Sequence, residues 1–268
     1  MGELSKRIIS GLVYVVVFLA AILIAKETYI SLIIFFAAVC LWEFSRMIKS
    51  KNILPYLLLG LFGITFLINK LSYLSDANIK LLFLSYSVVS LLILTKNLFV
   101  TEQRPRTELN NLFLSIKYVV FPFLFLMLLP FINGVYTPNI IIFTILIIWT
   151  NDSFAYITGK NFGKHKLFER ISPKKTIEGF VGGLLFSIIV GVAIGYYSQI
   201  FSIINWVVIA ILISVFGTIG DLVESKFKRE AGVKDSGTIM PGHGGLLDRL
   251  DSLFFLAPFV YLYIHYIL

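Results

Sequence analysis

The amino-acid sequence predicts an all-α polytopic integral membrane protein, with about nine transmembrane helices and a polar, cytoplasm-facing site in the C-terminal half. Two observations lead to this fold class. The 268 residues are 58% hydrophobic and only 14% charged, and their mean hydropathy is +0.90. Soluble proteins contain about 25% charged residues. This chain therefore lacks the polar side chains needed to cover a folded surface in water, and a water-soluble domain is excluded.

Apolar runs bounded by charges or turn residues locate the expected spans. A transmembrane helix needs about 20 mainly apolar residues. Nine runs qualify, of which the second, fourth and fifth are short: Ile8–Ala25, Thr28–Trp42, Ile53–Asn69, Leu81–Leu94, Tyr118–Ile132, Asn139–Ile157, Gly179–Phe201, Ile203–Gly220 and Ser252–Leu268. The first run is read as a retained helix, because no small-residue cleavage site follows it.

The distribution of Lys and Arg predicts the orientation in the cell (inner) membrane. Cytoplasmic loops of membrane proteins are enriched in positive charge. With a cytoplasmic N-terminus, 19 of the 23 basic residues lie on the cytoplasmic side and three on the other, with Lys117 at a helix entrance. Nine spans then place the C-terminus on the opposite side.

The two halves of the chain differ in character. Residues 1–132 form about five hydrophobic helices, whereas residues 133–268 carry two long cytoplasmic loops, 158–178 and 221–251, that hold most of the unusual polar residues. The net charge of +8 suits an anionic lipid surface or a phosphorylated substrate. The single cysteine, Cys40, lies in an apolar run and is expected to be a packed hydrophobic residue.

Asp152 is an ionisable residue at the end of an apolar helix. Such groups are costly within a membrane and are functional candidates by default. Two interpretations remain open: a carboxylate solvated by lipid headgroups, or a buried carboxylate that binds a metal or pairs with a lysine.

The first long loop is strongly basic. A Pro-fixed turn, Ser172–Pro173, and two lysines, Lys174 and Lys175, directly precede the next helix. Exposed N–H groups at a helix start, with lysines beside them, can hold a phosphate. The alternative is an electrostatic anchor for anionic headgroups.

The second long loop combines acids, bases and glycines. Three glycines, Gly242, Gly244 and Gly245, bring main-chain N–H groups close to a ligand. Asp248 and Asp251 follow at a spacing that places both on one helix face. Paired carboxylates favour Mg²⁺, although acids at a helix start also offset the helix dipole without any metal. His243 is an acid–base group, a turn residue or a phosphate contact.

Residues 149–252 resemble the phosphatidate cytidylyltransferase (CDP-diacylglycerol synthase) family. The family signature is met without departure by Ser225, Lys228, Arg229, Lys234, Asp235, Pro241, Gly242, His243, Gly244, Gly245, Asp248, Arg249 and Asp251. The segment from Asp152 to Lys164, and then Ile171–Gly179, is similar to the family as well. The first 130 or so residues agree only in being hydrophobic.

The resemblance implies that CTP and phosphatidic acid react at the cytoplasmic face to give CDP-diacylglycerol and pyrophosphate. Mg²⁺ on Asp221, Asp248 and Asp251 would bridge CTP phosphates, with Lys228 and Arg229 completing the catalytic set. The expected CTP or phosphate contacts are Lys174, Lys175, Ser225, Lys234, Gly242, His243, Gly244, Gly245, Arg249 and Asp152. The phosphate monoester is itself a nucleophile, so no general base is required.

The resemblance also implies a second cation, K⁺, and a homodimer in contact with membrane lipids. Nucleic acid is not an expected partner. Two other functions compete with this interpretation: a CTP-dependent polyprenol or lipid kinase, which would transfer the γ-phosphate, and a cation transporter that uses Asp152, Asp221 and Asp248. A purely structural membrane scaffold is a further alternative.

Overall fold

The computed structural model of this chain describes residues 3–67, 77–100, 106–240, 242 and 244–268, with side chains described from residue 9. Nine helices, α1 to α9, run through these ranges. Their bounds are α1 Glu3–Ile24, α2 Lys26–Met47, α3 Leu54–Leu67, α4 Ala77–Asn97, α5 Glu108–Leu128, α6 Asn139–Phe162, α7 Ile177–Ser198, α8 Ile203–Glu230 and α9 Leu247–Ile267. Short π-helical segments interrupt α5 at Ile116–Val120 and end α9 at Tyr263–Ile267.

The all-α polytopic class is confirmed. Seven of the described helices, α2 and α4 to α9, are long and apolar enough to cross a membrane. The apolar segments of α1 and α3 are shorter, Ile9–Ile24 and Leu54–Phe66. Each of the nine predicted runs corresponds to one helix. The end of the third run at Asn69 lies outside the described residues, as do Lys70, Arg104, Pro241 and His243.

The runs that looked short in the sequence are full-length helices. α2 continues past the predicted end at Trp42 to Met47, because Glu43 is buried inside the protein and does not mark the membrane boundary. α5 begins ten residues before the predicted start at Tyr118, with the Thr107 hydroxyl capping its first turn by accepting a hydrogen bond from the Asn110 amide at 3.3 Å.

The predicted end of the fifth span at Ile132 is wrong. The helix stops at Leu128, and Phe131–Ile132 (β1) pairs with Val135–Tyr136 (β2) in an antiparallel hairpin. The turn residues Asn133 and Gly134 have φ values of 49° and 81°. An Asn-Gly pair adopts this conformation readily and matches the twist of the flanking strands.

Other helix ends differ from expectation as well, and two of them bear on the site. α8 continues ten residues past the predicted end at Gly220, and α9 begins at Leu247 instead of Ser252. Polar residues assigned to the second loop, among them Asp221, Ser225 and Lys228, therefore lie on helices with fixed spacing. The division of the chain near residue 132 stays a prediction.

A short antiparallel hairpin connects α6 to α7. Lys166–Phe168 (β3) pairs with Ser172–Thr176 (β4), and the Arg170 side chain in its turn donates to the carbonyl groups of Leu98 and Val100 at 2.7 and 3.2 Å. The Thr176 hydroxyl caps α7 by accepting from the Gly179 amide at 3.1 Å. The hairpin is thereby fixed at both ends.

The core joins helices from both halves of the chain. The buried Tyr118 ring of α5 lies within 4.8, 5.0 and 5.3 Å of the rings of Phe44, Phe227 and Phe254, which belong to α2, α8 and α9. On α7, Gly191 lets the helix backbone approach α8, because a Cβ there would lie 2.8 Å from the Trp206 carbonyl oxygen. Close contact through small residues is typical of membrane helices.

Candidate active site

Three buried or partly buried carboxylates converge between α8 and α9. Asp221 and Glu224 lie on α8 and Asp251 lies on α9, and each contributes an oxygen within 4.8 Å of the others. Glu224 is fully buried, and Asp251 is 7% exposed. This carboxylate cluster is a concentration of negative charge in a low-dielectric setting, so it requires cations nearby.

The cluster has the donor set of a divalent-cation site. Hard cations prefer carboxylate oxygens, and Mg²⁺ typically takes one or two of them together with phosphate and water oxygens. Both Glu224 oxygens are buried; Oε2 pairs with the Lys228 ammonium, whereas Oε1 accepts no hydrogen bond from the described residues. An oxygen buried in this way requires a positively charged or donor partner. The residues present therefore fit a divalent cation. Within the described part of the chain, Lys175 and Lys228 are the cations paired with this cluster.

Lys228 lies between two of the acids. Its ammonium group contacts Glu224 one helical turn earlier on α8 and lies 2.7 Å from the Asp248 carboxylate on α9. Its side chain is 11% exposed. Lys228 therefore offsets negative charge within the protein and connects α8 to α9, in addition to the catalytic role expected from the sequence.

Asp248 organises the glycine turn formed by Gly242, Gly244 and Gly245. Its Oδ2 accepts from the Gly245 amide at 2.8 Å and from both the amide and the hydroxyl of Ser236 at 2.9 Å. Gly244 has φ +90°, and a Cβ there would lie 2.8 Å from the same oxygen. Asp248 is thus held by protein donors and is not one of the three carboxylates of the cluster. Its assignment as a metal ligand stays a prediction.

Glu43 of α2 reaches the same region from the N-terminal half. Its side-chain oxygens accept from the main-chain amides of Leu246 and Leu247 at 3.1 and 2.8 Å, and from the Ser236 hydroxyl at 3.3 Å. These are amides at the start of α9, which have no partner within the helix. A buried carboxylate on α2 therefore sets the position of the helix that carries Asp248 and Asp251.

The β3–β4 hairpin brings one of the two expected lysines to the cluster. The Lys175 ammonium lies 2.5 Å from Asp221 Oδ2, whereas the Lys174 side chain is exposed. Neighbouring strand residues point to opposite faces. On α8, the Ser225 hydroxyl donates to Asp221 Oδ1 at 3.1 Å and so holds the other oxygen of this carboxylate.

The remaining expected residues take different positions. Arg229 is exposed and donates to the main-chain carbonyl groups of Ile171 and Val233, each at 3.4 Å, so it does not reach the cluster. Lys234 is exposed on the loop after α8. Asp152 and Arg249 line the same cavity as the cluster. His243 lies outside the described residues.

A cavity of about 510 Å³ joins these groups. Its charged lining residues include Asp152, Asp221, Glu224, Lys228, Asp248 and Asp251. Glu43 and Glu224 were missed in the sequence. Glu224 lies three residues after Asp221 and four before Lys228, a helical spacing that would have indicated it had α8 been extended beyond Gly220.

The fold and this site define a class of protein: a membrane-embedded protein whose acids and lysines are arranged to bind a highly charged ligand. Residues 5–267 match the cytidylyltransferase family. The chain is 36% identical over 264 residues to the phosphatidate cytidylyltransferase of Bacillus subtilis (strain 168), an alignment that covers 97% of both chains. It is 43% identical over 190 residues to that of Staphylococcus saprophyticus, covering 70% and 69%, and 34% identical to that of Staphylococcus haemolyticus, covering 95% and 96%. The chain belongs to the cytidylyltransferase family.

Proposed function

We propose that this protein catalyses the transfer of a cytidylyl group from CTP to phosphatidate, forming CDP-diacylglycerol and pyrophosphate. The observation that carries the proposal is the lysine-paired carboxylate cluster at one end of a cavity, in a chain aligned over 97% of its length with a phosphatidate cytidylyltransferase. Two polyanions must meet in this reaction, so cations must offset their mutual repulsion.

The reaction needs positioning and charge stabilisation more than acid–base chemistry. A phosphatidate oxygen attacks the α-phosphorus of CTP, and the bond from that phosphorus to the bridging oxygen of pyrophosphate breaks. The phosphate dianion already carries the electron pair, so no protein group has to remove a proton. Lys175 and Arg249 would orient the phosphates, with Lys174 and Lys234 at the exposed edge. The amides of Gly242 and Gly244 would donate to phosphate oxygens, because the Gly245 amide already donates to Asp248.

Mg²⁺ is the proposed cofactor, and Asp221, Glu224 and Asp251 are the residues that would hold it. When bound, Mg²⁺ would supply positive charge that stabilises the pentavalent phosphorus and the leaving pyrophosphate. Asp248 was also predicted as a Mg²⁺ ligand, and it would take that role by exchanging its contact with Lys228 for the cation. The second cation, K⁺, rests on the family resemblance alone.

The site is proposed to face the cytoplasm, with the N-terminus on the same side and the C-terminus opposite. Alternating spans place the ends of α2, α6 and α8 and the start of α9 at one membrane face, and the excess of Lys and Arg supports the cytoplasm as that face. The homodimer also stays a proposal. Chemical crosslinking in native membranes would test the homodimer. The accessibility of a single cysteine placed at the C-terminus would test the orientation.

A product assay tests the function. Purified protein in detergent would receive dioleoyl phosphatidate, Mg²⁺ and CTP labelled separately at the α and γ positions. Cytidylyl transfer moves the α label into an organic-soluble lipid and releases the γ label as pyrophosphate. Appearance of the γ label in lipid would instead indicate a kinase. If neither label moves with any divalent cation tested, the proposal fails, and ion flux in liposomes becomes the next measurement.

A further inference from the structure

The cavity that holds the carboxylate cluster is also lined by α1 and α6, mostly through apolar side chains. On α1, the lining residues recur at helical spacing and form one face, whereas the residues between them point away from the protein. The lining face consists of Gly11, Tyr14, Val15 and Phe18, and the outward face includes Leu12, Val13, Val16 and Val17. One face of α1 therefore lines the cavity.

The opposite wall comes from α6, and its character changes along the helix. The lining residues Asp152, Trp149, Ile148 and Ile145 share the same spacing and thus one face. Seven residues of helix extend about 10 Å. The wall therefore passes from a carboxylate to purely apolar side chains within a distance of about two helical turns.

The proposed membrane topology orders the lining residues of α1 and α6 along the cavity. Successive membrane spans alternate in direction, so α1 and α6 are antiparallel. On the proposed topology, Gly11 and Asp152 lie toward the cytoplasmic end of the cavity, and Phe18 and Ile145 lie deepest in the membrane. We call this apolar part of the cavity, lined by α1 and α6, the α1–α6 groove.

Contacts behind the groove hold its α1 wall in place. The rings of Tyr14 and Phe18 lie 5.9 and 5.5 Å from the Phe36 ring of α2. At the far end of α1, the Tyr136 hydroxyl donates to the Ile22 carbonyl at 2.8 Å. The α1 side chains of the groove are therefore held in place by packing against a neighbouring helix.

We infer that the α1–α6 groove binds the acyl chains of the lipid substrate while the phosphate of that lipid lies at the carboxylate cluster with its lysines. The inference rests on the proposed function. Its support is that one cavity is lined both by the carboxylate cluster and by apolar faces of α1 and α6, which matches a phosphate-bearing diacyl lipid. A nucleotide alone has no apolar part that would occupy this wall. The groove also defines the route, because a lipid would reach the site sideways between α1 and α6.

Tryptophan substitutions on the two faces of each helix test the inference. Val15→Trp and Ile148→Trp would fill the groove. Val16→Trp and Leu146→Trp would place the same bulk on side chains that are 57% and 43% exposed on the outward faces of the same helices. Each variant would be assayed for cytidylyl transfer with dihexanoyl, dioctanoyl and dioleoyl phosphatidate at saturating CTP, and the KM for each lipid measured.

The groove variants should raise the KM for dioleoyl phosphatidate roughly tenfold, because displacing two methylene groups from an apolar wall costs about a factor of ten in affinity. The effect should shrink as the chains shorten, and the KM for CTP should stay within about twofold of the unmodified protein. The outward-facing variants should keep all three lipid KM values. Equal effects of inward and outward variants would overturn the inference. An effect independent of chain length would overturn it too, and would indicate that a bound membrane lipid, not the substrate, occupies the groove.

The assay separates this inference from the proposed function. If the unmodified protein transfers no cytidylyl group to any of the lipids, the function itself fails. If a groove variant loses activity on every lipid, the three lipid KM values are measured for Val15→Ala, which removes apolar contact without adding bulk. A raised KM confined to the longer chains supports the groove as the acyl site, whereas unchanged KM values for all three lipids overturn it.

Discussion

Glu43 Oε2 accepts a hydrogen bond of 2.8 Å from the main-chain amide of Leu247, 204 residues further along the chain. Glu43 lies in the middle of the N-terminal half, whereas Leu247 begins the helix that carries Asp248 and Asp251. The first helices therefore do more than anchor the protein, because one of them supplies the side chain that fixes the start of α9. The recognisable motif residues depend on a partner outside the motif.

Removal of this carboxylate should loosen α9. Glu43→Ala leaves the buried amides of Leu246 and Leu247 without acceptors, at about 1 to 3 kcal/mol for each group. We expect a lower melting temperature in detergent and a reduced kcat with a smaller change in the KM for CTP. Glu43→Gln, which keeps one acceptor oxygen, should recover part of both.

Glu108→Ala is the matched control for Glu43. Glu108 accepts from the Ser50 hydroxyl and the Lys51 amide at 2.7 and 2.9 Å, but on the exposed surface. Its removal should have little effect on kcat. Equal losses of stability and kcat in the two alanine variants would show that Glu43 has no special relation to the site.

Glu224 should be required for cation binding. Glu224→Gln keeps the shape of the side chain but removes a charge from the carboxylate cluster, and loss of a metal ligand typically exceeds the 10 to 100-fold cost of losing an outer-shell partner. Mn²⁺ binding followed by electron paramagnetic resonance measures this without substrate. Asp251→Asn should behave in the same way, and Asp248→Asn should retain more of the binding.

Glu230→Gln provides the comparison on the same helix. Glu230 pairs with Arg106 and Lys226 and does not line the cavity. It should bind Mn²⁺ as the unmodified protein does. Stronger loss of Mn²⁺ in Asp248→Asn than in Glu224→Gln would restore the ligand set expected from the sequence and refute the cluster.

Motif spacing in the sequence identified part of the site. Asp221, Lys175, Asp251 and the glycine turn lie within motif-rich segments of the sequence, and their residue types and spacing indicate their chemistry. Glu224 was hidden by the early predicted end of α8, since spacing carries no directional information in a loop. Glu43 contacts residues some 200 positions away, and no local pattern encodes such a contact.

The same limit applies to helix ends. A charged residue marks the end of an apolar run correctly when its charge faces water or headgroups. Glu43 is buried with hydrogen-bond partners and Asp221 pairs with Lys175, so α2 and α8 continue past them. Paired charges within a helical bundle therefore shorten the spans that a sequence appears to contain.

The two adjacent lysines of β4 should differ in their effect on activity. Lys175 lies 2.5 Å from Asp221, whereas Lys174 is exposed on the other face of the strand. Lys175→Gln removes the partner of a cluster carboxylate, so cytidylyl transfer should fall about 10 to 100-fold. Lys174→Gln should lower it by less than about threefold, because exposed charge contacts contribute little. Comparable losses in both variants would mean that the hairpin acts only through its total charge.

Lys228 should couple energetically to Glu224. Lys228→Gln leaves two acids, Glu224 and Asp248, facing each other in a buried setting, and removing one partner of a buried pair costs about 3 kcal/mol or more. For a protein of this size, that corresponds to a fall in melting temperature of roughly 6 to 12 °C. The double variant Glu224→Gln/Lys228→Gln removes one of the opposing charges as well, so it should be more stable than Lys228→Gln alone. Lys226→Gln, two residues earlier on α8, controls for the loss of a lysine. Strict additivity of the two single changes would show that the Lys228–Glu224 contact contributes no coupling energy, in which case Lys228 would be available to bind a substrate phosphate directly.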